Sequence, residues 1–244
     1  PSKGISDGIT LAEMAQVLKD LGAVQAVSLD GGGSTQMNVK LNGENDLNIV
    51  NRPSDGSQRA ITNGILFVST SERANKVGSI EVDKNIVIYK NNQYKFSING
   101  TDTNYNPINL KNANVKWTVE SKLGKVDSSG LYTAGAALES GTITAEWGGV
   151  NGKANIYVVD YVDTLDINGG ITQVLQYGNT KGLTLNATAF GGQPVILNNT
   201  SAIWSITGNI GTIDKNGLVK ITAKSGSGEV TVQLGAMKAT VKIL

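Results

Sequence analysis

"VKWTVESKLGKVDSSGLYTA", residues 115–134, returns without a gap as "AIWSITGNIGTIDKNGLVKI", residues 202–221. The alignment pairs Trp117 with Trp204, Gly124 with Gly211, Asp127 with Asp214 and Gly130 with Gly217 at a constant offset of 87, and it continues to Gly141 and Gly228. Around both copies the chain reads as short alternating segments such as "IVIYK", "YKFSI" and "ITAEW", with no convincing helix beyond about residue 80. Two copies of roughly 80 to 87 residues, each with about seven short strands, imply two β-sandwiches in tandem. Each repeated Trp is read as a core residue on a central strand. "DSSG" and "DKNG" are read as turns in which Asp caps the backbone and Gly supplies a positive φ.

The shared cadence of Trp, Gly, Asp-x-x-Gly and Gly-x-x-Thr resembles bacterial immunoglobulin-like domains of the kind found on secreted and cell-wall proteins. That resemblance implies an extracellular or cell-surface setting in a bacterium and says little about activity. It places one module at 78–160 and the next at 163–244, with the boundary near Asp160 to Asp163.

The texture differs upstream. In "DGITLAEMAQVLKDLGA", Leu11, Met14, Leu18 and Leu21 recur at helical spacing. Thr10 and Glu13 fit a capping box, and Gly22 suits the residue that ends the helix. A strand is expected over Val24 to Leu29, then a Gly loop, and a further apolar strand in "ITNGILFV". The fold class expected for the whole chain is therefore mainly β, with an N-terminal α/β (α+β) fragment over 1–74 ahead of the two sandwiches.

Composition removes several kinds of chemistry. Among 244 residues there are 21 basic and 20 acidic side chains, so no clustered basic surface points to nucleic acid or to an electrostatic membrane anchor. No apolar stretch approaches the roughly 20 residues that cross a bilayer. The chain has no cysteine and no histidine, which excludes disulfides, a Ser-His-Asp triad and a His-bearing zinc site within it. Acid–base work would fall to carboxylates.

The stretch best suited to such work is "SLDGGGST", residues 28–35. Asp30 ends an apolar run, where open α/β sheets tend to place their sites. Gly31, Gly32 and Gly33 let successive amides face an anion without Cβ interference, and Ser34 and Thr35 add hydroxyls. A loose hairpin explains the same letters. Further on, "NRPSDGSQRAITN" offers Ser54 and Asp55 in a turn, then Arg59, whose planar fork suits phosphate or carboxylate, and Asn63. A solvated surface turn is the plain alternative.

Taken in order, the helix, "LDGGGS", "PSD" and the downstream Arg resemble the C-terminal part of the phosphodiester glycosidase domain, from about Gly8 to Val68. The animal member of that family is the uncovering enzyme, N-acetylglucosamine-1-phosphodiester α-N-acetylglucosaminidase. The resemblance implies hydrolysis between a sugar's anomeric carbon and a phosphodiester. It implies Asp30, Glu13 and Asp55 as catalytic candidates. It gives Gly31, Gly32, Gly33, Ser34, Thr35, Ser54, Arg59 and Asn63 as groups that hold substrate or phosphate. Glu13 has a competing role as partner of Thr10 in the cap, and Asp55 is equally a turn residue. No cofactor is called for; a divalent cation such as calcium on Asp30 is left open, although no calcium-loop spacing is present.

The family's domain is much longer than this segment. The resemblance therefore implies that the remaining N-terminal part of the catalytic domain, or a second copy of the chain, covers apolar side chains such as Val24, Val27, Leu66 and Val68, and that the chain alone is inactive. The expected partner is a glycosyl phosphate or a cell-wall polysaccharide. A non-catalytic adhesion or carbohydrate-binding protein is the alternative. Polysaccharide binding by the repeats themselves is disfavoured, because Tyr89, Tyr94, Tyr105, Tyr132 and Trp147 are scattered singly along the chain.

Overall fold

A computed structural model describes residues 8–29, 31–33, 35–40, 46–61, 64–110 and 113–244. It is mainly β, with an N-terminal helical segment followed by two β modules.

The apolar run "IVIY" organises the β part. Ile86–Tyr89 is buried along its whole length. It lies parallel to Val150–Val159 on one side and to Gln193–Ile196 on the other. Alternation sends its side chains two ways. Ile86 and Ile88 enter the first module's core with Phe96, Leu123, Tyr132 and Ile156. Val87 and Tyr89 enter the second module's core with Ile167, Val219 and Val230. A strand buried on both faces needs a continuous apolar sequence, and this one has it.

Through that strand the modules share one seven-stranded sheet. Its first-module half runs from Ile86–Tyr89 through Val150–Val159 and Glu139–Trp147 to Lys116–Val119, and its second-module half adds Gln193–Ile196, Leu185–Ala189 and Thr164–Ile167. Gln93–Lys95, Leu131–Ala134 and Gly124–Val126 form a facing sheet in the first module. Thr180–Gly182, Leu218–Ile221 and Gly211–Ile213 form its counterpart in the second. The buried Asn92 adds polar stitching across the joint: its Oδ1 accepts from Asn198 N at 2.7 Å and Ser201 Oγ at 3.0 Å.

The repeated glycines have a common cause. A Cβ on Gly124 would overlap Thr133 O, and one on Gly211 would overlap Lys220 O, the equivalent carbonyl. On Gly130 it would lie 2.9 Å from Trp117 Cζ2, and on Gly217 3.1 Å from Trp204 Cζ2. On Gly141 and Gly228 it would meet Leu123 Cδ1 at 2.7 Å and Ile210 Cδ1 at 2.6 Å. The repeat is a repeat of close approaches. The Asp turns form as expected. Asp127 Oδ1 accepts from the amides of Ser129 and Leu131, and Asp214 Oδ1 accepts from those of Asn216 and Leu218.

Both tryptophans pack against their cores, yet their strands, Lys116–Val119 and Ile203–Ile206, lie at the ends of their sheets and not at the centre. An edge strand suits them because one face still meets the core while the indole edge reaches a loop. Trp204 Nε1, for instance, donates to Asn199 O at 2.9 Å.

The N-terminal segment is built differently. Its helix, α1, spans Leu11–Asp20 and has the complete capping box. Gly22 adopts φ +87°, and the chain turns there as expected. None of the helical residues is buried. The expected strand over Val24 to Leu29 has no ladder, and neither do residues 64–68. A strand needs a neighbouring strand to satisfy its amides, and among the described residues none lies alongside. The ladder in this segment joins Asn38–Val39 to Asn48–Ile49. Its C-terminal end is fastened to the first module by Asp102, whose buried carboxylate accepts from the amides of Ala74, Asn104 and Asn106.

Candidate functional site

Among the described residues, the Gly loop, the "PSDG" turn and Arg59 come together. Gly32 takes φ +118°, and Thr35 N returns to Gly32 O at 3.1 Å, so the loop is a tight turn. Gly56 N bonds Pro53 O at 3.0 Å with Gly56 at φ +81°, which closes a second turn over Ser54 and Asp55. The Asp55 carboxylate lies against Gly33 so closely that a Cβ there would overlap it. Its Oδ2 pairs with Arg59 Nη2. Gly33 leaves the carboxylate room to lie there, and a Cβ would push it aside.

Asn51 sets the spacing between the two turns. Its Nδ2 donates to Thr35 O at 2.9 Å and its Oδ1 accepts from Met37 N at 2.7 Å. Sequence reasoning passed over Asn51, although its place at the head of "NRPSDG" was the available signal, because Asn side chains bond nearby backbone in turns. Pro53 is buried beneath the turn. Gln36 Oε1 is shut off from solvent and has no hydrogen-bond partner among the described residues.

The remaining candidates divide. Glu13 stands apart in the helix cap: its Oε2 accepts from Thr10 N at 2.7 Å and Thr10 Oγ1 at 2.9 Å. The Thr10 amide, then its hydroxyl, holds the Glu13 carboxyl below the usual range. Gly31, Thr35 and Ser54 are exposed around the loop and turn. Asp30, Ser34 and Asn63 lie outside the described residues. The side chain of Arg59 is 59% exposed and that of Asp55 35%, so the pair faces solvent and still has donors to offer.

A Gly turn seated on a carboxylate–guanidinium pair, all within a short span after a capped helix, is the arrangement to compare. Residues 2–68 match the phosphodiester glycosidase family. The match ends where the apolar stretch "ILFV" ends, ahead of the β modules. A search of curated proteins gives no match. Among solved structures, the S-layer protein SbsC, domains 5-6, is similar at 20% identity with a TM-score of 0.34, covering 69% of this chain and 97% of that one. A longer SbsC structure, domains 4-9, aligns at 19% identity and TM-score 0.35, and the chain spans 31% of it. The Yersinia pseudotuberculosis adhesin InvE aligns at 18% identity and TM-score 0.28, covering 69% of this chain and 60% of that one. Among the described residues, no helix is long and apolar enough to cross a membrane.

Proposed function

We propose that the phosphodiester glycosidase segment supplies part of a site that hydrolyses a sugar 1-phosphodiester, on an extracellular or cell-surface protein whose β modules serve as spacers or polysaccharide contacts. The observation that carries the chemistry is the Asp55 carboxylate held between Gly33 and Arg59. In the reaction, water oxygen bonds to the anomeric carbon and gives its proton to a carboxylate. The bond from that carbon to the phosphate oxygen breaks, and its electron pair leaves with the phosphate. Negative charge grows on the leaving group, where Arg59 and the loop amides can stabilise it. Phosphate departs readily, so one carboxylate suffices to steady the oxocarbenium-like centre or to activate water. Asp30 has that role in this reading, and Asp55 holds Arg59 in place. Glu13 acts through the helix cap.

Val24, Val27, Leu66 and Val68 are exposed. Apolar surface on this scale favours a cover, and the reading assigns that cover to the rest of the catalytic domain or to a second copy of the chain. Turnover of a panel of sugar 1-phosphodiesters by the covered protein tests the chemistry. Arg59→Ala is expected to lower kcat about 10²- to 10³-fold, with a comparable loss for Asp30→Asn. Wild-type turnover in both variants, with folding intact, would sink the assignment. A second reading has its own observation: an exposed Asp–Arg pair four residues apart is also an ordinary turn clamp. A non-catalytic adhesion or carbohydrate-binding protein would show no turnover in the covered form.

A further inference from the structure

Phe190 meets Tyr157 and Tyr161, two neighbours in sequence, across the joint between the modules. The Phe190 ring centroid lies 6.0 Å from that of Tyr157 and 6.1 Å from that of Tyr161, both edge to face. All three are large, partly solvent-exposed aromatics, with Phe190 at 50%. Tyr157 and Phe190 line a cavity of about 530 Å³ where the second module meets the first. Tyr157, Phe190 and Pro194 give it apolar walls, and Lys84, Asn85 and Gln193 give it polar ones.

Phe190 sits in an unfavourable backbone conformation, φ +51°, which bulky side chains rarely adopt. The turn is held from both ends: Gly191 N donates to Asp163 Oδ2 at 3.0 Å and Gly192 N to Ala189 O at 3.2 Å. A Gly-Gly turn that fixes a strained, half-exposed aromatic ring is costly for stability alone. Asn85 is also fixed, because its Oδ1 accepts from Asn155 N at 2.7 Å, which orients its Nδ2 donors.

We infer that this inter-module cleft binds a glycan strand, with one sugar ring stacked on Phe190 and its hydroxyls met by the Asn85 and Gln193 amides. Flat rings present apolar faces to the C–H side of a pyranose, while primary amides offer paired donors and acceptors to neighbouring hydroxyls. Among the described residues that line the cavity no carboxylate is present and Lys84 is the one charged group, so nothing there attracts a cationic ligand. The inference rests on reading the β modules as polysaccharide contacts and is separate from the glycosidase chemistry.

Titration of the full chain with N-acetyl-chitotetraose and cellotetraose, followed by chemical-shift perturbation, tests it. Binding of at least one is expected, with Phe190→Ala and Gln193→Ala each weakening it, Phe190→Ala about tenfold or more. Tyr177→Ala, an exposed aromatic away from this cavity, should leave it unchanged. Phe190→Gly removes the backbone strain, so its unfolding midpoint should hold or rise while binding is lost. No binding of either oligosaccharide, or binding indifferent to Phe190 and Gln193, overturns the inference. So does collapse of the fold on Phe190→Gly, which would make the ring a packing element. A Phe190-dependent dimer without sugar binding would likewise replace the glycan by a second copy. Arg59→Ala should leave binding intact, so failure here and failure of the glycosidase reading are told apart.

Discussion

Val27 and Val158 are the same side chain in apolar runs of similar length, yet Val27 is 83% exposed and Val158 is 1% exposed. Val158 belongs to a strand flanked on both sides, by Glu139–Trp147 and by Ile86–Tyr89. Val27 has no neighbouring strand among the described residues. The contrast extends to whole regions. The modules bury two contiguous cores, whereas α1 buries none of its residues. An apolar run is therefore only a request for a partner. In the β modules the chain answers it by itself, and in the N-terminal segment it does not.

The widest expected gap comes from paired truncations. Leu123→Ala removes a fully buried side chain and should cost about 2 to 5 kcal/mol. Leu66→Ala removes an exposed one and should stay within about 0.5 kcal/mol. Urea unfolding followed by fluorescence of Trp117 and Trp204 reads both. If Leu66→Ala cost as much as Leu123→Ala, the N-terminal apolar residues would be packed after all and the comparison would fail.

A smaller effect tests whether the two modules act as one body. Asn92→Ala leaves Asn198 N and Ser201 Oγ without their acceptor, at about 1 to 3 kcal/mol. Because the modules share a sheet, the loss should appear in a single transition seen by both tryptophans. Two separate transitions would mean that the parallel joint at Val87 and Ile88 contributes little.

Acid should act on turns and anchors in the modules. Desolvation opposes ionisation of Asp102, but the amides of Asn106, Ala74 and Asn104 outweigh it and hold the carboxyl below its ordinary value. Asp127 is lowered by the Ser129 hydroxyl and the Leu131 amide, and Asp214 by the Leu218 amide. A depressed carboxyl contributes stability that is fully present above its unfolded value near 4. That stability fades as pH falls through the lower folded value. Wild type should therefore lose stability only as pH drops below about 4, and Asp127→Asn together with Asp214→Asn should flatten that slope. Urea midpoints from pH 5 to pH 2 check it.

How much was legible follows the same division. The repeat at an offset of 87, its Asp turns and its glycines could be read because each glycine answers a contact inside its own module. The capping box could be read because all its partners lie within four residues. The strand at Val24 to Leu29 was misread because β periodicity records a face and cannot say whether a neighbour exists. The central-strand placement of the tryptophans failed for the same reason, since strand order is not a local property. At the candidate site, "SDG" and Arg59 were visible, whereas the fit of Asp55 against Gly33 and the bridge by Asn51 needed coordinates. The aromatic cluster at Phe190 was invisible because Phe190 lies 29 residues beyond Tyr161 and meets the two tyrosines only across the joint.

The smallest expected effect bears on Glu13. Thr10→Ala removes the hydroxyl that accepts from Glu13 N and should cost α1 about 1 kcal/mol of local stability. Because α1 buries nothing, that loss should stay local: amide exchange over 11–20 quickens while the tryptophan-monitored transition does not move. Glu13→Gln is the sharper variant. Gln keeps the capping geometry, as the capping box accepts either residue, but it removes the charge that the Thr10 amide stabilises. If turnover of a sugar 1-phosphodiester survives Glu13→Gln in the covered protein, the carboxylate's work is confined to the helix start. If turnover falls while amide exchange stays unchanged, Glu13 belongs beside Asp30 in the chemistry, and the cap is only how the chain holds it.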